Sequence, residues 1–153
     1  MNQMQKYKEH FLLMVEAGFI ATNQADEDTA VKLFRACELL NPENSLPRIG
    51  MGYIHLLKLE LGQASRVFED VLKKEPSNDM AKTFLGLSLA MTPNQTAKGE
   101  KFLEDSAKHA EDPIVKNLAA NALKFVNDFV KKPPRPEDLM PKKKAAAPKK
   151  PKK

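Results

Sequence analysis

The feature that most limits the fold of this chain is a set of small, aromatic and proline residues that recur 34 residues apart. A fixed period of this length is typical of solenoid proteins, in which one unit cannot bury its apolar face until a neighbour stacks on it. The spacing therefore predicts a stack of repeated units. The recurring positions are Gly18, Gly52 and Gly86; Ala30 and Ala64; Phe34, Phe68 and Phe102; and Pro42 and Pro76.

Each recurring residue has a physical role in a pair of packed helices. A glycine on the first helix and an alanine on the second let the two backbones approach closely, and the phenylalanine four residues later fills the space beside them. Proline ends the second helix because it lacks an N–H and disfavours helix at the preceding residue. The third unit departs from the pattern, with Lys98 at the alanine position, Ala110 at the proline position and a longer turn predicted at Pro93-Asn94.

These positions resemble the tetratricopeptide repeat. The resemblance implies an all-α fold, a right-handed superhelix of about three helix pairs followed by a C-terminal capping helix. The repeats are placed at about 11–44, 45–78 and 79–112, and the cap at 113–130, within a domain of residues 1–131. Seven helices are predicted in all, at 4–22, 26–40, 46–61, 63–74, 79–90, 95–110 and 113–130.

The last predicted helix is amphipathic. Its apolar residues fall on one stripe, as expected of a helix that packs one face on a neighbour. We expect it to cover the open end of the stack, because the end units of repeat arrays need a polar outer surface. The stripe is formed by Val115, Leu118, Ala119, Ala122, Val126 and Phe129.

The charge is divided unevenly along the chain. Residues 131–153 contain ten Lys and Arg against two acidic residues, a net charge of +8, whereas residues 1–130 contain fifteen basic and eighteen acidic residues, a net charge of −3. The overall charge of +5 is therefore a property of the tail, and it is no evidence that the folded part binds nucleic acid.

The tail, residues 132–153, is rich in lysine, proline and alanine. Its only large apolar side chains are Leu139 and Met140, too few to offset the entropy of ordering the segment, so we expect it to be disordered. A solubilising role is the interpretation we favour. Contact of the lysines with an anionic surface, such as lipid, nucleic acid or an acidic protein, is the alternative.

The sequence contains no motif that indicates catalysis. His10, His55 and His109 lie 45 and 54 residues apart, without the spacing of metal ligands, and no paired-carboxylate, nucleophile or phosphate-loop pattern is present. We therefore expect no enzymatic activity, cofactor, metal or small-molecule substrate. The single Cys37 excludes an intramolecular disulfide and is predicted to be a small core residue.

No apolar run approaches the roughly 20 residues of a membrane span, and the N-terminus does not lead into the apolar segment of a signal peptide. With a lone cysteine, these features favour a soluble cytoplasmic protein.

Binding is expected on the concave face. In tetratricopeptide arrays that face is built mainly from the first helix of each repeat, and here its positions are mostly apolar, which is typical of a site for an amphipathic helix or extended apolar segment. Repeat proteins that clamp the acidic C-terminus of heat-shock chaperones have Lys and Asn there, so that function is not expected. The predicted partner-binding residues are Leu12, Val15, Phe19, Leu46, Ile49, Tyr53, Leu56, Met80 and Leu87, with Thr22, Thr83 and Ala90 at the remaining positions.

A short three-repeat chain with an apolar groove and a cap is similar to the chaperones of bacterial type III secretion, which serve virulence. The segments Asp112-Pro113-Ile114 and Phe125-Val126-Asn127 resemble the end of the subgroup that holds the needle subunit before export. The resemblance implies a cytoplasmic chaperone that binds the apolar C-terminal helix of a needle subunit in its groove. It also implies a small helical co-chaperone that packs on the N-terminal helices.

Two other functions are compatible with the sequence. In the first function, the protein is again a chaperone, and its client is a hydrophobic translocator. In the second, the protein is a scaffold whose repeats dock one partner while the basic tail binds an anionic one. Self-association is a further expectation, because an apolar groove without a client tends to bind another copy.

Overall fold

All of the regular secondary structure described in the computed structural model is helical, which confirms the all-α prediction. The structure describes residues 3–132 and 135–140, without the side chains of Met4 and Asp138. Most of the predicted disordered tail therefore lies outside the described residues. The helices are α1 (Gln3–Glu9), α2 (Phe11–Asn23), α3 (Glu27–Leu40), α4 (Leu46–Leu57), α5 (Leu61–Lys74), α6 (Asp79–Ala90), α7 (Thr96–His109) and α8 (Pro113–Phe125), followed by a π-helical turn at Val126–Val130 and a 3-10 turn at Pro136–Leu139.

The predicted helix boundaries agree with the structure to within two residues except at three places. The predicted helix 4–22 is interrupted at His10, whose N–H bonds Tyr7 O only three residues back, 3.1 Å away. The helix predicted to end at residue 61 ends at Leu57. The last α-helix ends at Phe125 and continues as the π-helical turn.

A residue in the left-handed conformation ends the first helix of each pair. Ala25 has φ 60° and Leu59 has φ 59°, and the residue after each donates its N–H to a carbonyl five residues back, at 2.9 Å in both turns. This is the hydrogen-bond pattern of a helix C-terminus that turns sharply. Ala25 and Leu59 are 34 residues apart, so the backbone follows the same period as the sequence. Asn94, with φ 65°, comes 35 residues after Leu59.

The helices pack in chain order. Each helix from α2 to α8 contacts the next, and α2, α4, α6 and α8 also contact one another in sequence. These four helices therefore form one row, against which α3, α5 and α7 pack. Among the described residues the main contacts run between near neighbours, and the buried side chains form three clusters along the stack.

Glycines make room for a phenylalanine ring between the paired helices in the first two units. A Cβ added at Gly18 would lie 2.5 Å from Phe34 Cε1, and one at Gly52 would lie 2.6 Å from Phe68 Cε1, too close for any real contact. Ala30, Ala64 and both phenylalanine rings are fully buried. The phenylalanines fill the space between the paired helices, as predicted, but at Gly18 and Gly52 the atoms nearest an added Cβ are side-chain atoms and not the backbone of the second helix, so these glycines make room for the rings.

The third unit differs from the prediction by one residue. The added residue in the α6–α7 turn, where Asn94 is left-handed, moves α7 so that Gly99 and Leu103 take the buried positions of the alanine and the phenylalanine. The 34-residue spacing of Phe102 therefore does not place it in the core. Phe102 is only half-buried, whereas Leu103 is fully buried, and Lys98 is exposed beside Gly99.

Helix α8 covers α7 with the residues that the apolar stripe predicts, except at its end. Val115, Ala119, Ala122 and Val126 are buried, but Phe129 is about half exposed. The five-residue π-helical turn rotates the chain relative to an α-helix, and Phe129 stacks on Phe125 instead, with ring centroids 5.4 Å apart.

Candidate protein-binding groove

An apolar groove of about 540 Å³ lies between α4, α6 and α8. Its only polar side-chain groups are the Tyr53 hydroxyl and the Asn121 amide. A concave, apolar surface with few polar groups is typical of a binding site, and an exposed one marks contact with a partner. We call this surface the apolar groove. It is lined by Tyr53, Leu56, Leu57, Leu59, Phe84, Leu87, Met91, Leu118, Asn121, Ala122 and Phe125.

The turn that ends α4 places two leucines on the rim of the apolar groove. Leu57 is the last residue of α4 and is 49% exposed, and Leu59 holds the left-handed position and is 69% exposed. A turn residue of this kind is usually glycine or asparagine, because a side chain is strained at positive φ. A leucine at this position therefore keeps a large apolar side chain in solvent at some cost in backbone strain.

Charged side chains brace the same turn. Lys58 Nζ lies 3.0 Å from Glu27 Oε1 on α3 and 3.2 Å from Glu60 Oε1, and His55 Nδ1 lies 2.5 Å from Glu60 Oε2. The hydrogen bond with His55, followed by the one from Lys58, holds the pKa of Glu60 below its usual value. His55 is thus half-buried and paired with a carboxylate, consistent with a structural histidine.

A row of aromatic rings forms the floor at the α4–α6 side. Tyr53 lies between Phe19, with ring centroids 5.9 Å apart, and Phe84, at 5.3 Å, and Phe84 stacks on Phe68 at 5.5 Å. Aromatic pairs at these distances contribute beyond the area that they bury. The Tyr53 hydroxyl donates to Asn23 Oδ1 at 2.9 Å, and burial raises the pKa of Tyr53. The row of rings therefore joins four helices, and its Tyr53 and Phe84 face the groove.

Helix α8 forms the opposite wall with Leu118, Ala122 and Phe125. Phe125 is 42% exposed and is covered on one side by Phe129. The helix predicted as a cap thus has two roles, because its stripe packs on α7 while two members of that stripe, Leu118 and Ala122, also line the groove with Phe125.

The structure separates the predicted partner-binding residues into four groups. Tyr53, Leu56 and Leu87 line the apolar groove. Val15 and Ile49 are buried in the core, as is most of Leu56, and they present almost no side-chain surface to a partner. Phe19, Leu46 and Met80 are half-buried outside the groove lining, and Leu12 is 62% exposed on α2.

The predicted stripe is therefore not continuous across three repeats. Thr22, Thr83 and Ala90 are also buried, and Ala90 lies against Gly99 of α7. The sequence pattern missed Leu57, Leu59, Met91 and Phe125. The only indication of them in the sequence was the presence of large apolar residues at the end of α4 and beside the α8 stripe. Whether these residues come together depends on how α8 packs on α6.

A second apolar surface lies on α2, which has Glu16 as its only charged residue. Leu12, Leu13 and Ile20 are each more than half exposed, at helical spacings that place them on one side. We call these three residues the α2 face. It occupies the N-terminal end of the stack, where α1 makes few contacts with α2.

No group of three or more His, Cys, Asp or Glu in the described part of the chain could hold a metal ion. Cys37 is buried, as predicted, and burial raises the pKa of its thiol. None of the described helices combines the length and the hydrophobicity needed to cross a membrane.

No protein-family model matches the chain, and no match was found among curated proteins or among solved structures.

Proposed function

We propose that this protein is a cytoplasmic chaperone of a bacterial type III secretion system, which holds an aggregation-prone needle subunit before export. The observation that carries the proposal is the apolar groove, with about 540 Å³ of nearly uncharged concave surface between α4, α6 and α8. We also propose that the helix pairs form a right-handed tetratricopeptide superhelix. The 34-residue step between the left-handed turn residues Ala25 and Leu59 supports that arrangement.

The groove has the chemistry of a surface that accepts one face of an amphipathic helix. Such helices bind through apolar anchors at positions i, i+3 or i+4, and i+7, which enter a groove lined by aliphatic and aromatic side chains. Burying those anchors would cover the surface through which a needle subunit polymerises, and the subunit would stay soluble. The groove has no charged lining residue that would select an acidic or basic peptide.

The α2 face fits the small helical co-chaperone that the resemblance implies. Its exposed leucines and isoleucine lie at the N-terminal end of the stack, apart from the groove lining. A client and a co-chaperone could therefore bind the same chain at once. The proposal assigns the client to the groove and the co-chaperone to the α2 face.

Leu57→Asp is the variant that tests the groove. Leu57 is half exposed at the rim, so an aspartate there leaves the core intact but places a carboxylate where client side chains would be buried, which is unfavourable. Leu39→Asp is the matched control, because Leu39 is 83% exposed near the end of α3 and does not line the groove. Tyr53→Asp is less suitable, since Tyr53 packs between two rings and bonds Asn23.

The experiment is co-expression with the needle subunit of the same organism, followed by size-exclusion chromatography. We expect a soluble complex with the native chain and with Leu39→Asp, and at least a tenfold loss of complex with Leu57→Asp. Equal recovery with both variants would show that the groove does not hold the client. If the chain retains a large membrane-inserting translocator in place of the needle subunit, the proposed client is wrong and the proposed binding site stands.

A further inference from the structure

A single amide interrupts the apolar wall that α8 gives to the groove. The lining residues of this helix follow the spacing i, i+3, i+4 and i+7, which places their side chains in one row along it. They are Leu118, Asn121, Ala122 and Phe125. Asn121 therefore lies within the apolar row, whereas the other asparagine of α8, Asn117, is exposed and does not line the groove.

The amide of Asn121 is free to bond a ligand. Within the part of the chain that the structure describes, no protein group bonds this side chain, and it is exposed to solvent. The hydroxyl of Tyr53, the other polar group in the lining, already donates to Asn23 Oδ1 at 2.9 Å. Asn121 is thus the one lining side chain that can both donate and accept a hydrogen bond without giving up a bond within the protein.

A helix bound in the groove would remove this amide from water. If the helix has only apolar side chains there, the amide is buried without a partner, which lowers affinity about tenfold or more. A charged partner would itself lose its hydration in a groove that has no charged lining residue. A carboxamide, from asparagine or glutamine, is neutral and can both accept from Asn121 and donate to it.

We propose that Asn121 is the specificity-determining residue of the apolar groove, and that it selects a client helix with one carboxamide in its apolar face. The inference rests on the proposed function, because it requires that the groove bind a helix. The pair of amides also sets the register of the client, as a single asparagine does in the core of a coiled coil. A slip of one helical turn moves the client amide by about 5.4 Å and leaves Asn121 unpaired.

Binding of fluorescent 18-residue peptides to the full chain, measured by anisotropy, tests this role. The reference peptide has leucine on one face and alternating glutamate and lysine on the other, so it contains no carboxamide. Three further peptides replace one leucine with asparagine, each at a different turn, because the register of the bound helix is set by that residue.

We expect one asparagine peptide to bind the native chain about tenfold more tightly than the reference peptide does. Asn121→Leu should reverse this order, because the reference peptide then meets an apolar wall and the asparagine peptide lacks its partner. Asn117→Leu is the matched control on the same helix and should keep the native order.

Leu57→Asp separates failure of this inference from failure of the proposed function. If it weakens the binding of every peptide, while the native chain and Asn121→Leu give the same order of affinities, the groove binds the helix and the role of Asn121 is overturned. If it leaves every affinity unchanged, or if no peptide binds the native chain, the groove does not hold a helix. The proposed function and the inference are then both overturned.

Discussion

At the scale of single residues, backbone contact between glycines joins α6 to α7. A Cβ on Gly99 would collide with the Ala90 nitrogen and the Gly86 carbonyl oxygen, and one on Gly86 would lie 3.0 Å from the Gly99 oxygen. Backbone atoms cannot move aside as the end of a flexible side chain can. The two glycines are therefore required for the approach of these helices, on which α8 and the groove wall depend.

Gly99→Ala is expected to destabilise the protein by about 3 kcal/mol, at the upper end of the range for overpacking, because the methyl group meets backbone. Gly62→Ala is the control, since nothing lies within 4 Å of a Cβ at that helical position. There alanine should stabilise the protein by about 0.5–1 kcal/mol, through its higher helix propensity. Urea unfolding measures both, and similar values for the two variants would contradict the packing described for α6 and α7.

Glu60 connects the pH dependence of stability to the groove rim. Its pKa is lowered in the folded state by His55 and then Lys58, so its stabilising effect is full above its ordinary value of 4.5. That effect is lost as the pH falls through the lowered folded pKa. Glu60→Gln should lower Tm at pH 7 and reduce the fall of Tm between about pH 5 and pH 3. Thermal unfolding by circular dichroism measures this, and an unchanged pH profile would show that the cluster does not support the turn.

At the scale of helices, caps and turns determine where each element begins and ends. Asp26, Asn78 and Asp112 accept hydrogen bonds from the first turns of α3, α6 and α8. Asn78 also links two units, because its amide donates to Glu75 Oε2 at 2.7 Å, and Ser45 donates to the same oxygen at 2.9 Å. One side chain thus starts α6 and ties it to the end of α5.

Asn78→Ala should cost about 1–2 kcal/mol, because it removes the cap on Ala81 N–H and the link to Glu75. Gln63→Ala, at an exposed position on α5, should change the free energy of unfolding by less than about 0.5 kcal/mol. Guanidinium unfolding compares the two variants. Equally small changes in the free energy of unfolding for the two variants would contradict this prediction, because water would then satisfy the Ala81 N–H as well as Asn78 does.

The sequence pattern predicted the helices of the first two units well and the register of the third unit wrongly. A 34-residue recurrence of small and aromatic residues identified the paired helices and the buried Phe34 and Phe68, but not that each ring lies against a glycine of the first helix. It failed in the third unit because one added residue near Asn94 shifts α7, so that Leu103 replaces Phe102 in the core. Period alone cannot detect such a shift when a phenylalanine happens to keep the spacing.

At the scale of the whole molecule, the groove depends on contacts that no single repeat encodes. Its lining combines the end of α4, the face of α6 and one side of α8. Family positions on the first helices identified Tyr53, Leu56 and Leu87, but they also included Val15 and Ile49, which are core residues. Which residues on the row of α2, α4, α6 and α8 are exposed to a partner depends on how each helix covers its neighbour. This coverage is determined by the packing of the whole stack.

The central claim is that an apolar helix binds in the groove and not on the α2 face. The most direct measurement is a titration of the full chain, labelled at its leucine and methionine methyl groups, with an 18-residue amphipathic peptide that has leucine on one face and glutamine on the other, followed by NMR. We predict that the methyl signals of Leu57, Leu59, Leu87 and Met91 shift with one common Kd, while those of Leu12 and Leu13 do not change. Shifts at Leu12 and Leu13 with no change at the groove would contradict the account.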